Sequence, residues 1–152
     1  MSICNREGRG QPPQRGFTLA ELMVTVLIVA ILTVIAVPNY MTYLRRNKLV
    51  EATSTLLALR QSMEQYYQDN RTYLNTAGDG CAIVFPVLEY FSLACDDKTR
   101  STYTIVAKSK ASVGLGSVGD FEYSINQDGA VKTSKFEGGS VTDTCLRIST
   151  SC

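Results

Sequence analysis

Residues 16–40 read GFTLAELMVTVLIVAILTVIAVPNY, and the composition of this stretch decides the architecture of the chain. From Leu22 to Leu44 no residue carries a charge. At ~1.5 Å rise per residue these 23 residues reach about 34 Å, enough to cross a bilayer core of ~30 Å. The run is too long for the apolar core of a secretory signal, and it continues past Pro38 without a small-residue cleavage site. It predicts a retained membrane helix.

Glu21 breaks the apolar pattern, with Phe17, Leu19, Leu22 and Met23 around it. An acid at mid-membrane costs about 2.5 to 3.5 kcal/mol on insertion scales, whereas one near the interface snorkels more cheaply. Glu21 reads as a functional intramembrane acid in preference to a helix-start acid that only complements the macrodipole. Upstream, residues 1–16 read MSICNREGRGQPPQRG, with Arg6, Arg9, Arg15, Pro12 and Pro13 and no apolar run, which is not the composition of a folded segment. The charges flanking the apolar run do not set its orientation. Arg45, Arg46 and Lys48 stand at its far end, against three arginines and Glu7 at the near one.

Downstream, Gly is absent from Phe17 to Ala77, and Leu49, Ala52, Leu56, Leu59, Met63 and Tyr66 recur at three and four residues. That is one apolar helical stripe. Arg45, Arg46, Lys48, Glu51, Arg60, Gln61, Glu64 and Gln65 make the opposite, polar face. The helix is therefore expected to continue as an amphipathic half that packs on a soluble domain, with a bend or local loosening at Pro38. Tyr66, Tyr67 and Tyr73 at its end read as packing side chains.

The stretch 70–100 carries Asp79-Gly80, Pro86 and Asp96-Asp97 as breakers and is expected to be a connector. Beyond it, YTIVA at Tyr103–Ala107, FEYSI at Phe121–Ile125 and AVKT at Ala130–Thr133 read as antiparallel strands, with a fourth from CLRIS at Cys145. The fold class is α+β: a long N-terminal helix packed on a small antiparallel sheet.

Of five cysteines, Cys81, Cys95, Cys145 and Cys152 lie in the C-terminal half. An even set in a modest exported domain predicts two disulfides. Three pairings exist; local closure favours Cys81 with Cys95 and Cys145 with Cys152, each stabilising by roughly 2 to 3 kcal/mol in the chain-entropy model. Cys4 lacks the spacing of a metal site. His and Trp are absent, which removes His-based general-base catalysis and His-ligated metals. No Gly-Lys-Ser/Thr phosphate loop is present, and no cofactor or metal is expected.

The stretch GFTLAE, followed by the uncharged run to Tyr40, resembles the type III signal of type IV prepilins. In that family a membrane peptidase cuts after the glycine on the cytoplasmic side and methylates the new amino terminus. The resemblance implies that Gly16 is the last leader residue, Phe17 the methylated first residue, Glu21 the fifth residue of the mature chain and Pro38 its twenty-second. It implies a cleaved leader over 1–16, a membrane or filament-core helix over 17–44 and a soluble pilin head over 45–152. The match continues through RRNKLVEATSTLLALRQSMEQYYQDNRTY, which is similar to the type IVa minor pilins that carry two disulfides. The pair Cys81 and Cys95 sets the chain apart from the better-known major pilins.

Implied partners are other pilin subunits, the prepilin peptidase and methyltransferase, the pilus assembly platform and inner-membrane lipid. Implied localisation is the inner membrane, head in the periplasm, and then the extracellular pilus. Glu21 has a physical role beside the resemblance: cleavage leaves a positive amine on Phe17 where it opposes the helix dipole, and an acid nearby offsets it. Once the helix packs in a dry filament core, an unpaired carboxylate costs several kcal/mol or takes up a proton. An amine partner removes that cost.

Two further readings compete: a pseudopilin of type II secretion, and a minor pilin that receives DNA. For the latter, Lys108, Lys110, Lys132, Lys135 and Arg147 fall in or near the strands. Without Arg6, Arg9, Arg15 and Glu7, the 15 basic and 14 acidic residues become 12 and 13. Counterion-driven binding wants a clear basic surface, so these cations read as ordinary solvated surface. An anchored enzyme is the remote alternative, with no paired catalytic constellation to support it.

Overall fold

The computed structural model describes residues 16–152, so Cys4, the three leader arginines and most of the expected leader lie outside the described residues. Two compact units follow one another along the chain, the second running from Tyr40 to Cys152. Helix α1 spans Leu19–Asn70 and continues through Pro38. It starts where Thr18 supplies a cap and ends where Arg71 turns to a left-handed φ of 56°, with its N–H given to the Tyr67 carbonyl at 2.8 Å. That is an αL termination at a residue other than glycine.

In the second unit, Leu49, Ala52, Thr53, Leu56, Leu59 and Met63 are the buried face of α1. They pack on a five-stranded antiparallel sheet in sequential order: β1 (Phe91–Asp96), β2 (Thr104–Ser109), β3 (Glu122–Asn126), β4 (Val131–Phe136) and β5 (Gly139–Asp143). The α+β arrangement expected from the sequence is the one observed. Side chains alternate across each strand, so Phe91, Ile105, Ala107, Tyr123, Ile125 and Thr133 face the helix while Lys108 and Lys132 face away. The core is contiguous, from Leu49 at one end of the helix stripe to Tyr73 and Tyr103 at the other.

Three readings of the sequence need correction. The connector over 70–100 contains β1: Phe91, Leu93 and Cys95 alternate inward and pair with Ser109, Ala107 and Ile105. The apolar run ahead of it, AIVFPVLEY, hides that alternation by merging with it. The fourth strand expected from Cys145 is instead Gly139–Asp143, which pairs with β4 through a two-residue turn at Glu137 and Gly138, both at positive φ. Cys145 to Arg147 comes back over the buried face of the sheet: Thr133 Oγ1 donates to the Cys145 carbonyl at 2.6 Å and accepts from the Arg147 N–H at 3.1 Å. The Tyr123 hydroxyl adds a bond to the Arg147 carbonyl at 2.6 Å. Backbone groups satisfied by buried side chains have no need of a ladder partner. Finally, the helix stripe closes on Tyr67, which stacks on Tyr73 with ring centroids 4.4 Å apart, and not on Tyr66.

Candidate functional site

The helix start is built by TLAE. Thr18 Oγ1 accepts the Glu21 N–H at 3.2 Å, and the Thr18 carbonyl accepts the first helical bond from Leu22 at 3.1 Å. Thr18 is thus the N-cap and Glu21 the third helical residue, the positions of a capping box. The S/T-x-x-E spacing ahead of an apolar run was the signal for Thr18, and reading Glu21 alone overlooked it. The Glu21 side chain is exposed in the first turn, where a negative charge complements the helix dipole. Gly16 lies two residues before the cap. A Cβ there would meet nothing among the described residues within 4 Å, and its φ is not left-handed, so nothing in its own surroundings demands glycine.

From Phe17 to Leu44 the apolar side chains are exposed, and α1 is long and apolar enough in this part to cross a membrane. Three polar side chains within the run are satisfied on the helix itself. Thr25 Oγ1 donates to the Leu22 carbonyl at 2.8 Å, Thr33 Oγ1 to Val29 at 2.7 Å, and Asn39 Nδ2 to Ile35 at 3.1 Å. Such back-bonding hides donors that would otherwise be costly in lipid. Pro38 has no N–H to offer the Val34 carbonyl, the local reason for expecting a bend there.

In the head, Cys81 is bonded to Cys95 and Cys145 to Cys152, with Cα atoms 6.1 and 6.0 Å apart. These spacings suit disulfide geometry. Among the described residues no group of three or more His, Cys, Asp or Glu is placed to hold a metal ion.

The five cations weighed for nucleic acid do not form one surface. Lys108 and Lys132 stand on the outer face of the sheet, but Lys108 lies 3.5 Å from Glu122, and Asp96, Asp97 and Glu122 line the same groove as Lys132. Lys110 donates to the Leu88 carbonyl at 2.5 Å. Lys135 is exposed near the β4–β5 turn. Arg147 belongs to the helix-facing side: it bonds Asp143 at 3.1 Å, the Ser149 carbonyl at 2.9 Å and the Thr150 carbonyl, and its guanidinium lies 4.5 Å from the Phe136 ring centroid.

Two residues of the expected polar helix face instead tie loops to the helix. Glu51 accepts the Glu89 and Tyr90 N–H groups at 2.9 and 3.0 Å, and Lys48 Nζ donates to the Val113 carbonyl at 2.7 Å. At the other end of the stripe, the Tyr73 hydroxyl donates to Glu64 at 2.8 Å. Burial, then the Glu64 charge, pushes the Tyr103 hydroxyl up to about 12, against the opposing pull of Arg60. Such a phenol stays neutral at any physiological pH.

With the helix start and the head described, comparison with known proteins decides the family. A family model described as "Type IV minor pilin ComP, DNA uptake sequence receptor" matches residues 38–118, more than half of the chain. The chain belongs to the type IV pilin family. A second model, the prokaryotic N-terminal methylation motif, matches residues 12–37 of this pilin. The pilin is 38% identical over 74 residues to the type IV major pilin protein PilA of Myxococcus xanthus, covering 49% of this chain and 34% of that protein. It is 37% identical over 68 residues to the type II secretion system core protein G of Escherichia coli K12, covering 45% and 47%. The matches thus span a third to a half of these curated relatives. The crystal structure of the Neisseria meningitidis non-core minor pilin PilV superposes with a TM-score of 0.53 at 21% identity, covering 65% of this pilin and 95% of that chain. That likeness is one of fold.

Proposed function

We propose that this pilin is a minor structural subunit of a type IV pilus. The observation that carries the reading is the helix start: a capped helix, uncharged from Leu22 to Leu44, whose single early acid follows a Gly-Phe pair that matches the methylation motif. A peptidase cutting after Gly16 releases the Phe17 amine beside Glu21. The uncharged helix holds the subunit in the inner membrane with its head in the periplasm, and an assembly platform moves it into a filament of pilin subunits, bending at Pro38 where the packing requires it. The chain performs no chemistry of its own. Since the described residues around Gly16 leave room for a side chain, its glycine fits a requirement of the peptidase.

The intact mass of the protein purified from the cell envelope tests processing. The expected mass is that of residues 17–152 plus one CH2 for the N-methylation, less four hydrogen atoms for the two disulfides. Gly16→Phe should retain the full leader mass, and a mature mass unchanged by that substitution sinks the cleavage site.

A DNA-receptor role is the second reading, favoured by the description of the family model that covers 38–118. The placement of Lys108, Lys110 and Arg147 argues against the five-cation set as its surface, leaving Lys132 and Lys135. Duplex DNA titrated onto the soluble head at several salt concentrations tests it: a receptor using both lysines shows a log–log slope near −2, by the rule of ~0.9 per phosphate neutralised. A slope near zero removes the second reading and leaves the first.

A further inference from the structure

The register of the sheet determines which loops share an end. Phe91 pairs with Ser109, Lys108 with Glu122, Glu122 with Lys135 and Phe136 with Gly139. The segment before β1, the β2–β3 loop and the β4–β5 turn therefore lie together. The helix meets this end of the sheet with its first head residues: Arg45 Nη1 is 2.7 Å from Glu137 in the β4–β5 turn, Lys48 bonds the β2–β3 loop at Val113, and Glu51 bonds the segment before β1. Arg60, four turns further along, lies instead against Gly129 in the β3–β4 turn at the opposite end. The loop-bearing end is thus the one at which the chain enters the head from its apolar run.

That end exposes apolar side chains that no other part of this unit covers. Val87, in the segment before β1, is 95% exposed and Val118, in the β2–β3 loop, 66%. Ile148 lines the same crevice as Thr42 and Arg46, and Tyr40 and Tyr43 are exposed on the helix just below. Tyrosines at the edge of an apolar span favour the headgroup region. The charges here nearly balance, with Arg45, Arg46, Lys48, Lys110 and Lys135 against Glu51, Glu89, Asp120 and Glu137.

We propose that this end of the head is a lipid-contact surface: Val87 and Val118 lie in the headgroup layer of the membrane that holds the helix, alongside Tyr40 and Tyr43. The proposal rests on the membrane-anchored reading above. It fits a lipid surface because the exposed apolar loops sit at the end where the same chain leaves the bilayer, as continuation of a contact and not as an isolated patch. With the charges so nearly balanced, uncharged headgroups suffice.

The chain contains no Trp, so single substitutions place one reporter at a time. The full chain is reconstituted into vesicles of phosphatidylcholine brominated near the headgroup, as Val87→Trp, Val118→Trp and Asp128→Trp, and, as Val29→Trp, into vesicles brominated deep in the acyl chains; a thiol titration verifies that both disulfides are closed. Val29 reports the membrane helix and Asp128 the far β3–β4 turn. At the ~5–10 Å depth of interfacial side chains, Val87→Trp and Val118→Trp should be quenched at least about twice as strongly as Asp128→Trp. Quenching of Val29→Trp alone overturns the lipid-contact surface and leaves the anchor standing. Equal quenching at Asp128 also overturns it, since the head then lies on lipid by another face. An unquenched Val29→Trp removes the anchored reading and this proposal with it.

Discussion

Glu21→Ala is expected to insert into the membrane, lose its leader at the normal rate and yet enter filaments at least about tenfold less than the unaltered chain, a loss equivalent to ~1.4 kcal/mol or more per subunit. The cause is charge. On the proposed role, Glu21 lies close to the interface in lipid, where its carboxylate reaches water, and pairs with a Phe17 amine in the packed helical core, so that deleting either leaves the other buried alone. The helix itself survives the change, because Thr18 still caps the Glu21 backbone N–H from its own hydroxyl. Glu21→Gln separates the two effects, since it keeps the length and hydrogen-bonding capacity of the side chain while removing the charge. It should fail as Ala does. Counting incorporated against membrane-held subunits in sheared-filament and membrane fractions reads the result, and normal incorporation of Glu21→Gln would refute the pairing.

Thr133→Val has the largest expected effect in the head. Thr133 is fully buried on the helix-facing side of β4, and its hydroxyl serves two backbone groups of the returning C-terminal segment. Valine has nearly the same shape, so packing is kept while the Cys145 carbonyl and the Arg147 N–H lose their partner. Leaving such groups unpaired costs about 1 to 3 kcal/mol each, so a loss of roughly 2 to 6 kcal/mol is expected from denaturant unfolding of the oxidised protein. Thr133→Ser should recover most of it. The segment should also loosen first, making Cys145–Cys152 more easily reduced than Cys81–Cys95; a Val variant as stable as the original would show that this knot holds nothing.

The stretch from Leu22 to Met63 was legible because each of its properties is local. An uncharged run longer than a bilayer is thick, a stripe recurring at three and four residues, and the absence of glycine each need no knowledge of any other segment. The strands β2, β3 and β4 were legible for the same reason, to within a residue or three at their ends. β1 escaped because its alternation runs on from an apolar segment that masks where it begins. The Cys145 segment was misread because CLRIS alternates as a strand does, while the groups that hold it belong to Thr133 and Tyr123 on other strands.

For the site, the residues Gly16, Phe17, Thr18 and Glu21 are adjacent in the chain, and their geometry follows from one turn of helix. Composition and periodicity by themselves therefore determined a membrane-capable helix, its early acid and an α+β head. Tertiary structure alone decided that Lys48 and Glu51 clamp loops in place of facing solvent, that Arg147 joins the helix-facing side while Lys108 and Lys132 stand on the other, and that the loops before β1 and after β2 gather where the helix enters. The division has a physical origin. A helix or strand pattern is set by neighbours a few residues away, whereas a hydrogen bond from Glu51 to the backbone 38 residues later exists only once the sheet has brought the two together.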